Sequence, residues 1–370
     1  MTKVSICIPL YNHKNYIGSC IESILKQTYQ NIEIIVSDDN SSDNGVAVVE
    51  SIKDSRIKII KNKINLGPSV NINKAIENAS GDYIIVLASD DMLYDNAIDK
   101  YLQKTLSSPE ALLYFGWFQT IDQNDSEIDS YNMVLGNKLR DPELYLEELF
   151  GGCNFLMGSG VFYKKNFFKI VGQFNPLLIQ TQDLDMWVKT LTAGHKIAIV
   201  EEKIIKYRIH LDNLSNNLDD PKKIITIQSR YLFEIQKVLE HYLKIKDFEF
   251  FKKTFPTILN YNFVDEKYQN FYLMKEAIRV GNLSNSLYHV AYKLFAANIA
   301  HSIFQNKNLA IEISEKFGFN FSDFCFESSN IINYENIIFL KNLTNSPNNS
   351  LSQNKSLIKN FLKLKNKFKF

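Results

Sequence analysis

Short, continuous apolar runs alternate with amphipathic stretches through the first 110 residues, and this constrains the fold more than any other feature. The runs VSICIP (4–9), IEIIVS (32–37), IKII (57–60) and YIIVLA (83–88) are rich in β-branched residues and read as strands. Helical segments lie between them, from about Tyr16 to Gln27, Asp43 to Lys53 and Ser69 to Ala79. The first of these puts Ile17, Cys20, Ile21, Ile24 and Leu25 on one face. Strands that are apolar at nearly every position are buried on both sides. The pattern therefore predicts an α/β fold, a mostly parallel sheet with helices on both faces. In such sheets ligands bind beyond the carboxyl ends of the strands, so the residues there are the ones to read.

Further along, residues 111–210 are mixed. GVFY (160–163) and KIAIV (196–200) read as strands, and a helix is expected from about Leu184 to Thr192. From about residue 221 the texture turns helical. Ile224, Ile227, Tyr231, Ile235, Val238 and Tyr242 fall on one helix face, and Leu287, Val290, Leu294 and Ala297 repeat the spacing. These changes divide the chain into an α/β domain (1–215), a helical region (216–341), a polar Asn/Ser linker (342–356) and a basic amphipathic tail (357–370). In the tail Leu357, Phe361, Leu364 and Phe368 recur at helical spacing, with Lys359, Lys363 and Lys367 largely on the other side. That is the pattern of a helix lying on an anionic membrane surface, with a solvated lysine-rich tail as the alternative.

Charge enters here. The whole chain is at +1 and its last 20 residues carry six lysines and no acid, so residues 1–350 stand at −5. A mildly acidic body excludes a nucleic-acid partner held by bulk positive field. Cys7, Cys20, Cys153 and Cys325 form no CxxC pair, so neither a zinc framework nor a disulfide scaffold is expected. The N-terminus MTKVSICIPLYN lacks the apolar stretch of a signal peptide, and no segment reaches the length of a membrane span. The expectation is a cytoplasmic protein, peripheral on the inner face of the cell membrane through its tail.

Three acidic clusters fall where the sheet wants a ligand. Asp38-Asp39 follow the second strand, Asp90-Asp91 follow the fourth, and Asp183 and Asp185 lie in TQDLDMW. A single Asp at a strand end often caps the next helix. Two adjacent carboxylates after a buried strand repel unless a cation or donors offset them, and such oxygen-rich pairs suit Mg²⁺ or Mn²⁺ carrying a diphosphate.

PLYN (9–12), DDNSSD (38–43), NLG (65–67), NKAIENASGDYI (73–84), SDD (89–91), GSGVFYKK (158–165), GQFNP (172–176), QDLDMW (182–187) and YRIH (207–210) occur in this order. Together they resemble the family-2 glycosyltransferases of the GT-A, Rossmann-like fold over about residues 3–215, a family common in bacterial surface-polysaccharide synthesis. The resemblance implies a nucleotide pocket floored by Pro9, Tyr11 and Asn12, with Tyr11 facing the base, or else packed in the core, and Asp39 accepting a base N–H. Gly67 would belong to the same pocket. Asp91 would hold the divalent cation, Mg²⁺ or Mn²⁺, and Asp90 would touch the ribose or a metal-bound water. His210 would complete the metal shell and Arg208 would serve the leaving group. Asp183 would be the general base, with Asp185 as runner-up. The two lie about 200° apart on a helix, so both cannot face the site. Trp187 is either an acceptor-lining residue or a core tryptophan.

Three positions depart from the family pattern: Ala88 where a further Asp is commoner, Ile72 where many members carry Arg, and Gln182 where Glu is usual. Ile72 removes one phosphate or base contact and makes Asn73 structural. The implied reaction is inverting transfer from a nucleotide-diphosphate sugar, UDP-linked by preference, to a hydroxyl of a glycan or lipid-linked glycan. Two rivals share the architecture: a sugar nucleotidyltransferase, which usually carries a Gly-rich phosphate loop where this chain reads PLYNHKN, and a non-catalytic sugar-nucleotide-binding or scaffold protein. A dinucleotide dehydrogenase is excluded, since no GxGxxG follows the first strand.

Overall fold

The computed structural model describes residues 2–128, 145–151, 154–210, 213, 221–283 and 287–321. The expected linker 342–356 and tail 357–370 lie outside the described residues, as do Cys153 and Cys325. Strands β1 (Val4–Leu10), β2 (Ile32–Asp38), β3 (Ile57–Lys61) and β4 (Tyr83–Val86) form on the four apolar runs. Helices α1 (Ile17–Leu25), α2 (Gly45–Ser51) and α3 (Pro68–Glu77) join them. β1 pairs in parallel with β2 and β4, and β2 with β3. Alternation along the strands explains the covering of both faces. Val4, Ile6, Ile8 and Leu10 share one core with Ile17, Cys20, Ile21 and Ile24 of α1. On the opposite face the Ser37 hydroxyl donates to Asn71 of α3 at 2.6 Å. The chain runs outward from β1 to β2 and β3, then returns to place β4 on the other side of β1. That reversal opens a crevice at the carboxyl ends of β1 and β4.

Four more strands extend the sheet: β5 (Met92–Leu93), β6 (Ala111–Ile121), β7 (Val161–Lys164) and β8 (Lys196–Arg208), with α4 (Ala97–Ser107) between β5 and β6. The order among the described residues is β3-β2-β1-β4-β7-β6-β8-β5. β7 is antiparallel to β4 and β6, and β5 to β8, while β6 and β8 are parallel. Parallel pairings therefore prevail, as expected. β6 and the extension of β8 to Arg208 go beyond what sequence reading found. A glycine interrupts the apolar run ALLYFGWFQTI, and register shifts follow on both sides of Trp117. A Cβ at Gly116 would lie 2.2 Å from the Ile204 side chain. The residue that blurs the strand signal is thus the one that lets β8 approach.

The helical region begins with α8 (Pro221–Leu239), on which Ile235 and Val238 of the expected apolar face are buried. Tyr242 lies beyond it in a 3-10 turn, Tyr242–Lys244. α9 (Phe248–Thr254), α10 (Gln269–Gly281) and α11 (Leu287–Gln305) follow. Phe150, at the end of α5 (Tyr145–Phe150), packs edge-on against Tyr242, Phe255 and Tyr292. Tyr242 also donates to the Leu146 carbonyl at 2.9 Å. These contacts fall inside one compact unit, Met1–Ile299. In the second unit, Ala300–Phe370, Asn306 caps α12 (Lys307–Phe317) and left-handed Gly318 ends it. No helix among the described residues is long and apolar enough to cross a membrane.

Candidate active site

The crevice between β1 and β4 gathers three potential metal ligands. His13, just past β1, Asp90, past β4, and His210, past β8, offer ligand atoms that all lie within 4.8 Å of one another. His210 Nε2 stands 3.0 Å from Asp90 Oδ2, and His13 Nδ1 stands 3.9 Å from Asp90 Oδ1. The His13 ring is also paired with the Ser89 hydroxyl at 2.8 Å, and Tyr16 of the α1 approach lies against His210 with centroids 4.5 Å apart. Burial alone would raise the Asp90 carboxyl, but the His210 hydrogen bond and the His13 charge outweigh it and hold the group below the ordinary value. An ionised carboxylate between two imidazoles is a donor set that fits a divalent transition ion.

Asp91, expected to hold the cation, follows Asp90 in the chain and is not one of these three residues. It is 1% exposed, its Oδ1 accepts the Arg208 backbone N–H at 2.9 Å, and its Oδ2 makes no well-aligned hydrogen bond. Burial, and then the adjacent Asp90 charge, hold its carboxyl well above the ordinary value. Arg208 is the residue expected to serve the leaving group. It is fully buried, donating to the carbonyls of Asp90 (2.7 Å) and Asp122 (2.8 Å), paired with Asp125 at 2.5 Å and lying 5.0 Å over the Tyr16 ring. Its fork is spent on the chain itself, where it clamps the turn that presents Asp90.

On the β1–β2 side, Tyr11 is 48% exposed, which removes the core-packing alternative for this ring. Pro9 is partly buried at the end of β1. Asn12 adopts φ 55° and ties the two loops together, its N–H on Ser41 Oγ at 3.0 Å and its Oδ1 accepting from Ser42 N–H at 2.9 Å. Asp39 is 2% exposed and accepts from Asn62 Nδ2 (2.9 Å), Leu66 N–H (2.8 Å) and Gly67 N–H (2.9 Å). Three of the roughly four lone-pair positions of a carboxylate are thereby filled, and one remains. Gly67 starts α3 at φ 87°, a conformation that favours glycine. Asn73 is structural, exchanging two hydrogen bonds with the Phe174 backbone.

Asp183 stands in the first turn of α7 (Gln182–Thr192). Its Oδ1 accepts the Leu184 N–H at 2.7 Å and its Oδ2 accepts from Asn154 at 3.1 Å. Burial raises its carboxyl to about 6, against the lowering effect of those donors, and Glu234 adds to the rise. Asp185 faces away, buried against His241 at 2.7 Å. Trp187 is a core residue, fully buried between Phe115 and Tyr163. Three consecutive residues connect Asp183 to the crevice. A Cβ on Gly158 would lie 2.7 Å from Asp183 Oδ2, Ser159 Oγ accepts the Ala88 N–H at 3.0 Å, and Gly160 N–H donates to Val86 at 2.7 Å. Residues 158–160 thus run from Asp183 to the end of β4.

His13, Asn154, Ser159 and Glu234 escaped the sequence reading. His13 stands in plain view in PLYNHKN, but a lone His carries no spacing signal until β1 and β4 are known to be neighbours.

A model of glycosyl transferase family 2 matches residues 5–171. An uncharacterized glycosyltransferase of Rickettsia felis is 33% identical over 253 residues, 66% of this chain and 40% of that protein. The chain thus spans well under half of that relative's length. The Escherichia coli protein named UDP-Glc:alpha-D-GlcNAc-diphosphoundecaprenol beta-1,3-glucosyltransferase WfgD is 30% identical over 215 residues, 58% of this chain and 80% of that one. Among solved structures, S. aureus TarS 1-349 in complex with UDP aligns with TM-score 0.52 over 86% of this chain and 92% of that chain, at 14% identity. That likeness is one of fold, and it agrees with the GT-A architecture expected. With the family model matched and a relative aligned over four fifths of its length, the chain belongs to glycosyl transferase family 2.

Proposed function

We propose that this protein transfers a sugar from a nucleotide-diphosphate donor to a hydroxyl of a glycan or lipid-linked glycan acceptor, in one displacement with inversion. The observation that carries this reading is Asp183: a carboxyl held near neutrality, fixed by two donors, and joined through residues 158–160 to the Asp90 crevice. A base that titrates about one unit below physiological pH is mostly ionised yet still basic enough to take a proton from an attacking hydroxyl. Asp183 performs that step, and no covalent enzyme intermediate is required.

Tyr11 offers its exposed face to the base of the donor, and Asp39 keeps one acceptor position for a base N–H while it shapes the 62–67 loop. The UDP of the TarS complex and the UDP-Glc of the WfgD name favour uracil as that base. Asp90, His210 and His13 would hold a divalent cation, and two imidazoles favour Mn²⁺ over the oxygen-seeking Mg²⁺. When bound, such an ion supplies positive charge that stabilises the departing diphosphate. Arg208 holds the Asp90 carbonyl and so keeps this carboxylate in place.

The diphosphoundecaprenol in the WfgD name favours a lipid-linked acceptor, and the basic tail would bring the enzyme to an anionic surface. Deleting residues 355–370 is expected to abolish co-sedimentation with anionic vesicles, and unchanged partitioning would sink the tail's role. The central test is a thermal-shift panel of nucleotide sugars with and without Mn²⁺. A UDP-sugar should raise the melting temperature, and more so with Mn²⁺. If no nucleotide sugar shifts it under either condition, the donor reading fails.

A further inference from the structure

The start of α7 is capped in an unusual way. Thr181 occupies the cap position, but its hydroxyl does not accept from the helix. Instead it donates to Glu234 Oε2, at 3.1 Å, from α8. The Glu234 carboxylate also accepts three consecutive backbone N–H groups, from Ile179 (3.0 Å), Gln180 (2.9 Å) and Thr181 (2.9 Å). Glu234 is 5% exposed, and all four of these bonds go to the segment that leads into Asp183.

One consequence reaches Asp183 directly. With the Thr181 hydroxyl drawn to Glu234, the Leu184 N–H that a capping hydroxyl would ordinarily take turns to Asp183 Oδ1, at 2.7 Å. That bond fixes the Asp183 rotamer and aims its other oxygen at Asn154 and Gly158. A second tether, Asp185 to His241 at 2.7 Å, fixes the same first turn of the helix from the segment after α8.

We infer that Glu234 is a positioning residue, a carboxylate from the helical region that caps α7 and thereby sets the orientation of Asp183. The inference rests on the reading of Asp183 as the base, and it gives the helical region a part in transfer. Glu234 acts through Asp183 and touches no substrate, since its oxygens are occupied by the chain. Its charge works in the same direction, because a nearby carboxylate disfavours ionisation of Asp183. Among the described residues, Asn154, Tyr163 from β7, and Tyr231 and Glu234 from α8 face Asp183.

Glu234→Gln keeps the size of the side chain and one acceptor oxygen, whereas Glu234→Ala strips three buried N–H groups and invites misfolding. The experiment compares full-length wild type, Glu234→Gln, Asp183→Asn and the double variant. Urea unfolding from pH 5 to 8 reads the Asp183 titration as the pH-dependent gap between each Asp183/Asn pair. Transfer kinetics read kcat and donor KM. The expected result is a kcat reduced at least tenfold with donor KM unchanged, and an Asp183 titration midpoint moved to lower pH. A merely structural cap would lower the unfolding midpoint alone. Wild-type kcat, or an unmoved Asp183 midpoint, in folded Glu234→Gln overturns the inference. If Asp183→Asn itself keeps full turnover, the base reading fails instead, and the titration arm still reports whether Glu234 governs Asp183.

Discussion

Asp183→Asn is expected to make the protein more stable while it removes transfer. Burial lifts the Asp183 carboxyl from an unfolded value of 3.8 to about 6. The folded state therefore holds the proton more tightly than the unfolded chain, and ionising the group costs stability. Below pH 3.8 the group is neutral in both states and the cost vanishes; above pH 6 it is paid in full. At about 1.4 kcal/mol per pH unit, a shift of roughly two units amounts to about 3 kcal/mol at pH 8, and about half of that at pH 5. An amide is nearly isosteric with the neutral carboxyl, so the variant should match wild type at low pH and exceed it increasingly as pH rises. Urea unfolding followed by tryptophan fluorescence reads this well, since Trp187 lies on the same helix. Transfer by the same variant should fall by about two to four orders of magnitude, the usual worth of a positioned base. A stability gap that stays flat between pH 5 and pH 8 would falsify the claim that Asp183 is held near neutrality. Near-normal turnover would refute its role.

Other outcomes follow from the same geometry. Gly158→Ala places a methyl group 2.7 Å from Asp183 Oδ2, so kcat should drop while donor affinity, measured calorimetrically, stays put. His210→Gln should erase the Mn²⁺-dependent part of the thermal shift with UDP; a retained metal response would remove His210 from the ligand set. Tyr11→Ala should weaken nucleotide binding by about 1–3 kcal/mol, the worth of base stacking, with no loss of melting temperature because the ring is half exposed. Arg208→Ala should cost about 3–5 kcal/mol of stability, visible as a lowered urea midpoint, since it leaves buried carbonyls and a carboxylate without their cation. A near-native midpoint for that variant would show that its fork is not spent on the fold.

The parallel half of the sheet was legible from the residues alone. Apolar β-branched runs at 4–9, 32–37 and 83–88 fit strands buried on both faces, while IKII at 57–60, with its lysine, forms the half-covered edge strand. Local physics suffices there, because each strand and helix announces itself through neighbours a few residues apart. It also placed Asp183 and Asp185 on one helix with opposed directions, which follows from helical geometry alone. What tertiary structure decided was partnership across long separations. Which member of Asp90-Asp91 faces the histidines depends on the Arg208 backbone, 117 residues from Asp91, and adjacency in sequence holds no trace of that. The resemblance turns Arg208 toward a leaving group, and only the fold shows its side chain buried beneath Asp90. Glu234 looks like any helical glutamate until α8 lies against the start of α7. These choices turn on desolvation and on which donors happen to be near, quantities that exist only once the chain has closed on itself.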